Sequence, residues 1–316
     1  MQLTEESVET CPVCRAHQAR TIYAKARDPI TLDCFPVTEC TECHMVHTTR
    51  VPGRMDRYYP AGYRAYGPAV TRFLNALYNL RVSHWARLKP SGGSVLEIGC
   101  GSGLMLAAFR RRGWRVLGIE RNEAAAEIGR QAFHVEIVSS PIEALPPEAR
   151  FDLILMFQVL EHIGDPVGLL RECAKRLLPG GHLVANVPNF SSWQSNFAGA
   201  NWFHLDVPRH LNHFTPETLE SALERGGLRL THLSFASLEH DPYGWVESTL
   251  NRITGRSNTM TRFLMGLDPF GPATLFSLAF GLVFSPLAMA LAGGSWVAKR
   301  GALLEAIAEP SIPQGK

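Results

Sequence analysis

Gly99, Gly101 and Gly103 alternate along the chain directly after the apolar run Val95-Leu96-Glu97-Ile98 and directly before another, Leu104-Met105-Leu106-Ala107-Ala108-Phe109. Glycine has no Cβ, so a strand can turn tightly here and a ligand can touch the backbone. Two acids frame the turn. Glu97 stands two residues before the first glycine, and Glu120 closes the next apolar run, Arg115-Val116-Leu117-Gly118-Ile119. A carboxylate at the distance of Glu120 is placed to take both hydroxyls of a ribose. Glu97 would repel a phosphate. Position 104 is Leu, whereas a nicotinamide fingerprint needs glycine or alanine as the sixth residue of G-x-G-x-x-G. The set therefore suits a ligand that carries an ammonium group and no phosphate.

A second chemistry lies near the N-terminus. Cys11-Pro12-Val13-Cys14 and Cys40-Thr41-Glu42-Cys43 are two C-x2-C knuckles, each able to present two thiolates to one side of a tetrahedral metal. Cys11, Cys14, Cys40 and Cys43 together make a four-sulfur zinc site. Four protein ligands leave no open position, so that zinc is structural. The stretch between the knuckles is longer than a compact ribbon needs and predicts a hairpin there. Cys34, His44 and His47 read as ordinary neighbours, and Cys100 and Cys173 as small packing residues.

The elements that must position these residues follow from hydropathy. Apolar residues at helical spacing run from Val70 to Leu88 and stop at Lys89-Pro90-Ser91-Gly92-Gly93. Strands and helices then alternate: strand 94–98, helix 103–112, strand 115–120, helix 122–132, strand 135–138, strand 152–157, helix 165–178 and strand 182–187. Alternation of this kind calls for a parallel sheet with helices on both faces. The ligand site then lies at the carboxyl ends of the strands, where Gly99, Glu120, Ser140 and Gln158 converge. The chain has 316 residues and a formal charge of +2, too small for a nucleic-acid footprint, so no nucleic acid is expected. The acidic start, Met1-Gln2-Leu3-Thr4-Glu5-Glu6, lacks the apolar core of a signal peptide and points to the cytoplasm.

Glu97-x-Gly99-x-Gly101-x-Gly103, Glu120, the run Phe151–His162 and the turn Leu177-Leu178-Pro179-Gly180-Gly181-His182-Leu183 occur in an order and spacing that resembles the class I S-adenosylmethionine-dependent methyltransferases. The resemblance covers roughly Ser91 to Leu238 and a short strand near the C-terminus. It implies an α/β fold with a doubly wound, mostly parallel, seven-stranded Rossmann-like sheet. It also implies S-adenosylmethionine as cofactor, held by Glu97, Gly99, Gly101, Gly103, Glu120, Ser140 and Gln158. One departure matters. Relatives place an acid after the third strand for the adenine amino group, where this chain has Val138-Ser139-Ser140-Pro141-Ile142-Glu143. Ser140 can still bond through its hydroxyl or backbone. Some members carry a zinc ribbon ahead of the catalytic domain, followed by a tyrosine-rich segment, which Asp56-Arg57-Tyr58-Tyr59-Pro60-Ala61-Gly62-Tyr63-Arg64-Ala65-Tyr66 looks like. These tyrosines, Tyr63 among them, either help close the pocket or pack the ribbon on the main domain.

On the acceptor side, Glu161-His162 follows the fourth strand. His162 is either a general base or a histidine beside the following helix cap. The irregular stretch Phe190–Thr215 is dense in aromatics and histidines and resembles one subgroup's acceptor segment. Trp202 and His213 are expected to contact substrate, and His210 is the best candidate base. Residues 269–298 carry no charge. That length suits a membrane span, but Pro272, Pro286 and Gly293-Gly294 are expected to divide it. The flanking strands, 228–235 and 302–308, must also share one sheet. The stretch is therefore an apolar helical insertion, lying either at a membrane interface or as a lid or dimer surface.

The expected organisation is a zinc ribbon over 1–50, a tyrosine-rich linker and leading helix over 51–90, a methyltransferase domain over 91–239 and 299–310, and the insertion over 240–298. The expected activity is methyl transfer to a small-molecule acceptor, lipid-like or lipid-linked, through a hydroxyl, in the cytoplasm with peripheral contact at the cytoplasmic face of a membrane. The alternatives are methylation of a soluble sugar or nucleotide sugar, and a non-catalytic zinc-ribbon adaptor at the membrane.

Overall fold

The two cysteine knuckles bracket an antiparallel hairpin, β1 (Ala19–Arg27) and β2 (Cys34–Cys40), and β3 (Val46–Thr48) continues the sheet. The structure is a computed structural model and describes residues 10–60 and 68–311. Ala26, Phe35, Val37, Val46 and Tyr58 form a small core with Ala198, Trp202, Leu205 and Val207 from the far side of the chain. A region this small cannot bury enough apolar surface by itself. It completes its core on the larger domain.

That domain begins with α1 (Pro68–Trp85) and alternates through β4 (Ser94–Ile98), α2 (Leu104–Arg110), β5 (Arg115–Ile119), α3 (Glu123–Phe133), β6 (Ile137–Val138), β7 (Phe151–Phe157), α4 (Pro166–Arg176) and β8 (Leu177–Pro188). After α5 (Trp193–Ala198) and the short β9 (Asn212–His213) come α6 (Pro216–Arg225) and β10 (Leu228–Ser234). Then α7 (Asp241–Thr254), α8 (Thr259–Leu264) and α9 (Pro272–Val297) precede β11 (Leu303–Pro310). Helix starts carry side-chain caps: Asn122 accepts from the Ala125 N–H, Asp165 from Gly168, and Thr215 and Thr218 form a reciprocal box.

The seven-stranded sheet has the order β10-β11-β8-β7-β4-β5-β6. β11 runs antiparallel to both of its neighbours, and the other pairings are parallel. This is the expected mixed α/β sheet, with 228–234 and 303–310 side by side at one end. The strand order reverses at β4, which opens a crevice at the carboxyl ends of β4 and β7.

Two differences from expectation have physical causes. The chain turns into β8 at Leu177, not after 178, because Leu177 pairs with Phe151 across the sheet. The stretch 272–297 is one helix, unbroken at Pro286 or at Gly293-Gly294. Pro286 removes one backbone donor. Buried Gly281 and Ala288 on either side of it are held against the protein, which keeps both halves in line.

Candidate functional site

Gly99 takes its turn directly from β4, donating its N–H to the Ile119 carbonyl at 2.8 Å. A side chain at this position would place Cβ 2.5 Å from Val159 Cγ2, so the turn closes on the loop after β7. Gly101 differs. Its φ is +53°, and a Cβ there would meet nothing within 4 Å. The glycine therefore presents bare backbone to open space, as a ligand cradle requires.

Glu120, at the end of β5, accepts from the Gly101 N–H and the Asn122 N–H, each at 2.8 Å. It thus ties the glycine turn to the start of α3 while each oxygen keeps a second acceptor position. Glu97, inside β4, is 4% exposed. Its Oε2 has no hydrogen-bond partner among the described residues. Burial, and then the nearby Glu120 charge, push its carboxyl up to about 8. An orphan buried carboxylate oxygen next to an open cradle is a site for a cationic group.

The other expected cofactor residues follow β4, β6 and β7 at their carboxyl ends. Gln158 follows β7 with φ +57°, and its amide donates to Asn186 Oδ1 at 2.9 Å. Ser140 is partly exposed in the bend after β6. Gly103, φ +72°, leads into α2.

On the acceptor side the structure brings together residues far apart in sequence. The His162 and His210 rings are 4.7 Å apart and nearly perpendicular. Nδ1 of His162 lies 2.8 Å from the Arg209 carbonyl, and Nδ1 of His210 lies 2.8 Å from the His204 carbonyl. A carbonyl only accepts, so both rings carry their proton on Nδ1, and Nε2 is the basic nitrogen of each. Asp206 Oδ2 lies 3.8 Å from His210 Nε2. Glu161, fully buried, completes the cluster: one donor atom from each of Glu161, His162 and His210 lies within 4.8 Å of the others. Sequence order gave His162 and His210 separately; nothing local announced that Glu161 and both rings would meet.

Trp202 is 3% exposed between Phe190 and His204. His213 turns into the joint with the ribbon. It pairs with Val46 across β3 and β9, and its Nε2 lies 2.9 Å from Thr48 Oγ1. Burial, and then the nearby His47, push its pKa down to about 3. Tyr63 lies outside the described residues. Tyr58 from the same segment packs in the ribbon core and donates its hydroxyl to Asp33 at 2.8 Å.

At the knuckles, Cys11 Sγ is 3.5 Å from Cys43 Sγ, and Cys14 Sγ is 3.5 Å from Cys40 Sγ. All four sulfurs fall within 4.8 Å of one another. Tetrahedral zinc with bonds of about 2.3 Å needs sulfurs about 3.8 Å apart. The residues fit the ion.

Residues 68–233, more than half of the chain, match the family model described as a methyltransferase domain. A ubiquinone biosynthesis O-methyltransferase from Nitrobacter winogradskyi is 32% identical over 165 residues, 49% of this chain and 62% of that protein. The chain thus spans less than two thirds of this relative's own length. The protein of the same name from Xanthomonas axonopodis pv. citri is 30% identical over 175 residues, covering 51% of this chain and 73% of its own length. Among solved structures, a SAM-dependent methyltransferase from Archaeoglobus fulgidus aligns with a TM-score of 0.48 at 22% identity, covering 74% of this chain and 93% of the other. On the match over residues 68–233, the chain belongs to the methyltransferase-domain family.

Proposed function

We propose that this protein is an S-adenosylmethionine-dependent O-methyltransferase of a lipid-like acceptor, working in the cytoplasm at a membrane face and carrying a structural zinc ribbon. The observation that carries the cofactor reading is the orphan Glu97 Oε2 beside the open space at Gly101. When bound, the cofactor supplies a methyl group activated on a sulfonium. Glu97 would hold its ammonium group and Glu120 its ribose hydroxyls, with the backbone of Gly99, Gly101 and Gly103 and the side chains of Ser140 and Gln158 as further contacts.

Methyl transfer is an in-line displacement, so the protein contributes alignment and, for a hydroxyl acceptor, removal of a proton. His210 Nε2 is the base in this reading, and Asp206 Oδ2 faces the proton that Nε2 takes up. His162 packs edge-on against that ring and orients it. Trp202 is given no acceptor role, because its ring is buried in the small core shared with the ribbon. His213 is given no acceptor role, because its ring lies in the ribbon joint. The relatives' names, which specify O-methylation in ubiquinone biosynthesis, support an aromatic lipid acceptor. Cys11, Cys14, Cys40 and Cys43 hold the zinc.

The grouping of Glu161, His162 and His210 favours a second reading of proton removal. The same donors could hold a divalent cation that acidifies the hydroxyl. Activity that survives exhaustive chelation under conditions that leave the ribbon zinc in place would decide for the base.

Titration of S-adenosylhomocysteine into the protein by calorimetry tests the cofactor site. One site per chain, lost in Gly101→Val, is expected. No heat with the folded wild-type protein would overturn the proposal.

A further inference from the structure

α9 is built the wrong way round for a helix of a water-soluble domain. Its buried positions are Thr274, Ser277, Gly281, Ala288, Ala292 and Ser295, all small or hydroxylated. Its bulky residues face outward, with Leu282 79%, Val283 82% and Val297 88% exposed. Leu275, Phe276, Leu287 and Met289 share the exposed surface. Small residues against a neighbouring helix and large apolar ones outside is the arrangement used where the surroundings are lipid. The buried hydroxyls bond to nearby backbone: Ser277 donates to the Ala273 carbonyl, Ser295 to Ala292 and Thr274 to Pro269 just ahead of the helix.

Charge and aromatic residues mark one end of this face. An added Cβ at Gly294 would lie 3.4 Å from the Trp193 ring, so this half-exposed tryptophan sits beside the last turns of α9. Arg252 stacks on Phe197 at 5.1 Å, and Arg300 donates to the Ser191 carbonyl on the same side. Arg256 and Lys299 are exposed. Tryptophan beside cations is the composition of a bilayer headgroup layer.

Topology decides between crossing and lying flat. Of the three helices between β10 and β11, only α9 is long and apolar enough to cross a membrane. The strands on either side of the excursion, β10 and β11, pair in one sheet. One crossing would put those strands on opposite sides. The Trp296 indole also donates to Asp241 at the start of α7, which fastens the C-terminal end of α9 to the domain.

We propose that α9 is an in-plane membrane anchor, its outer face entering the headgroup–acyl boundary of an anionic bilayer and the exposed cations that flank the helix, Arg252, Arg256, Lys299 and Arg300, meeting lipid phosphates. A second copy of the chain fits less well, because facing like surfaces would bring the same basic rims together. The inference goes beyond the methyltransferase reading and does not depend on it.

The test is sedimentation of the full-length protein with vesicles of phosphatidylcholine alone and of phosphatidylcholine mixed with phosphatidylglycerol. Binding to the anionic vesicles, weakened by salt, is expected. Each neutralised cation among Arg256, Lys299 and Arg300 should weaken it roughly fivefold. Leu282→Glu with Val283→Glu should weaken it by a hundredfold or more, on the order expected for two large apolar side chains. Both positions are exposed, so the double variant should melt like the wild type and bind S-adenosylhomocysteine equally well. No vesicle binding by the folded wild type, or undiminished binding by the double variant, would overturn the anchor. A stable dimer that ignores vesicles and is broken by the double variant would assign the face to a second copy instead. Loss of cofactor binding in the wild type would count against the methyltransferase reading and leave the vesicle result standing.

Discussion

The Asp28 carboxylate and the Arg209 guanidinium, 181 residues apart, meet at 2.6 Å with neither side chain exposed. Asp28 directly follows the first strand of the hairpin; Arg209 is the residue before His210. The same guanidinium pairs with Asp206 at 2.6 Å and donates to the Tyr58 carbonyl at 2.8 Å. Thr48 adds to the joint, donating its hydroxyl to the His210 carbonyl at 2.7 Å. The ribbon therefore holds the loop that carries the proposed base. Asp28 and Thr48 are positioning residues in this account.

Asp28→Asn removes one of the two carboxylates that hold Arg209 and leaves Asp206 as its partner, so it should destabilise the protein by about 1–3 kcal/mol. Neither Asp28 nor Arg209 is among the expected cofactor residues, so S-adenosylhomocysteine affinity should fall less than turnover at temperatures where the variant is folded. Thermal unfolding with calorimetry at low temperature checks both arms. An unchanged melting temperature would show that the pair does not anchor the loop.

Purified protein should carry one zinc per chain by elemental analysis. Replacing Cys11 and Cys43 together by serine should lose the metal and loosen the hairpin, because that region has little apolar core of its own. β3 pairs with β9, so the damage should extend to Asn212 and His213. Hydrogen exchange would show faster exchange there than in β4. Exchange confined to the knuckles would contradict the coupling.

Gly101→Val should abolish cofactor binding; its side chain would enter open space, but the φ of +53° strains a β-branched residue, so the folded variant should melt somewhat below the wild type. Glu120→Ala should weaken binding by roughly 1–3 kcal/mol through the loss of a polar partner. Calorimetry on both variants measures this, and wild-type affinity in both would exclude the crevice as the cofactor site.

The pH behaviour of Glu97 follows from its burial. Its carboxyl ionises near 4.5 ordinarily and near 8 in the fold. Between those values the ligand-free native state holds a proton that the unfolded chain has lost, so stability falls as pH rises through the window. Asp241, pushed up to about 7 by burial, acts in the same sense at lower pH. Glu97→Gln should therefore flatten the melting profile across the window from about pH 5 to pH 8. An ammonium ligand needs the carboxylate, so wild-type cofactor binding should tighten from pH 6 to 8 and the variant's should not. Parallel profiles for the two proteins would contradict the assignment.

What the sequence made legible was local. The glycines at 99, 101 and 103 act through their own backbone, and the C-x2-C pairs act through fixed short spacings. Alternating hydropathy was enough to call for a parallel sheet containing 94–98, 115–120 and 152–157; that the first is flanked by the other two is a matter of sheet order, which pattern does not give. Contacts across long separations left no trace in pattern: Asp28 with Arg209, Glu161 with His210, Thr48 with His213. His213 lies against Thr48 and β3, and a histidine in an aromatic loop has the same sequence appearance whether it faces substrate or a neighbouring strand. Pro286 and Gly293-Gly294 suggested breaks because local propensity was weighed without packing. In the fold, Gly294 is where the Trp193 ring approaches α9, so its lack of a side chain serves contact.

The central claim is methyl transfer to a lipid-like acceptor, and one assay meets it directly. The protein is incubated with methyl-labelled S-adenosylmethionine and a lipid extract of its host's membranes, and the organic and aqueous phases are counted. Label should enter the organic phase, vanish with Gly101→Val and fall at least a hundredfold, on the scale of a lost general base, with His210→Ala. Label confined to the aqueous phase, or transfer to no component at all by folded, cofactor-binding protein, would contradict the account.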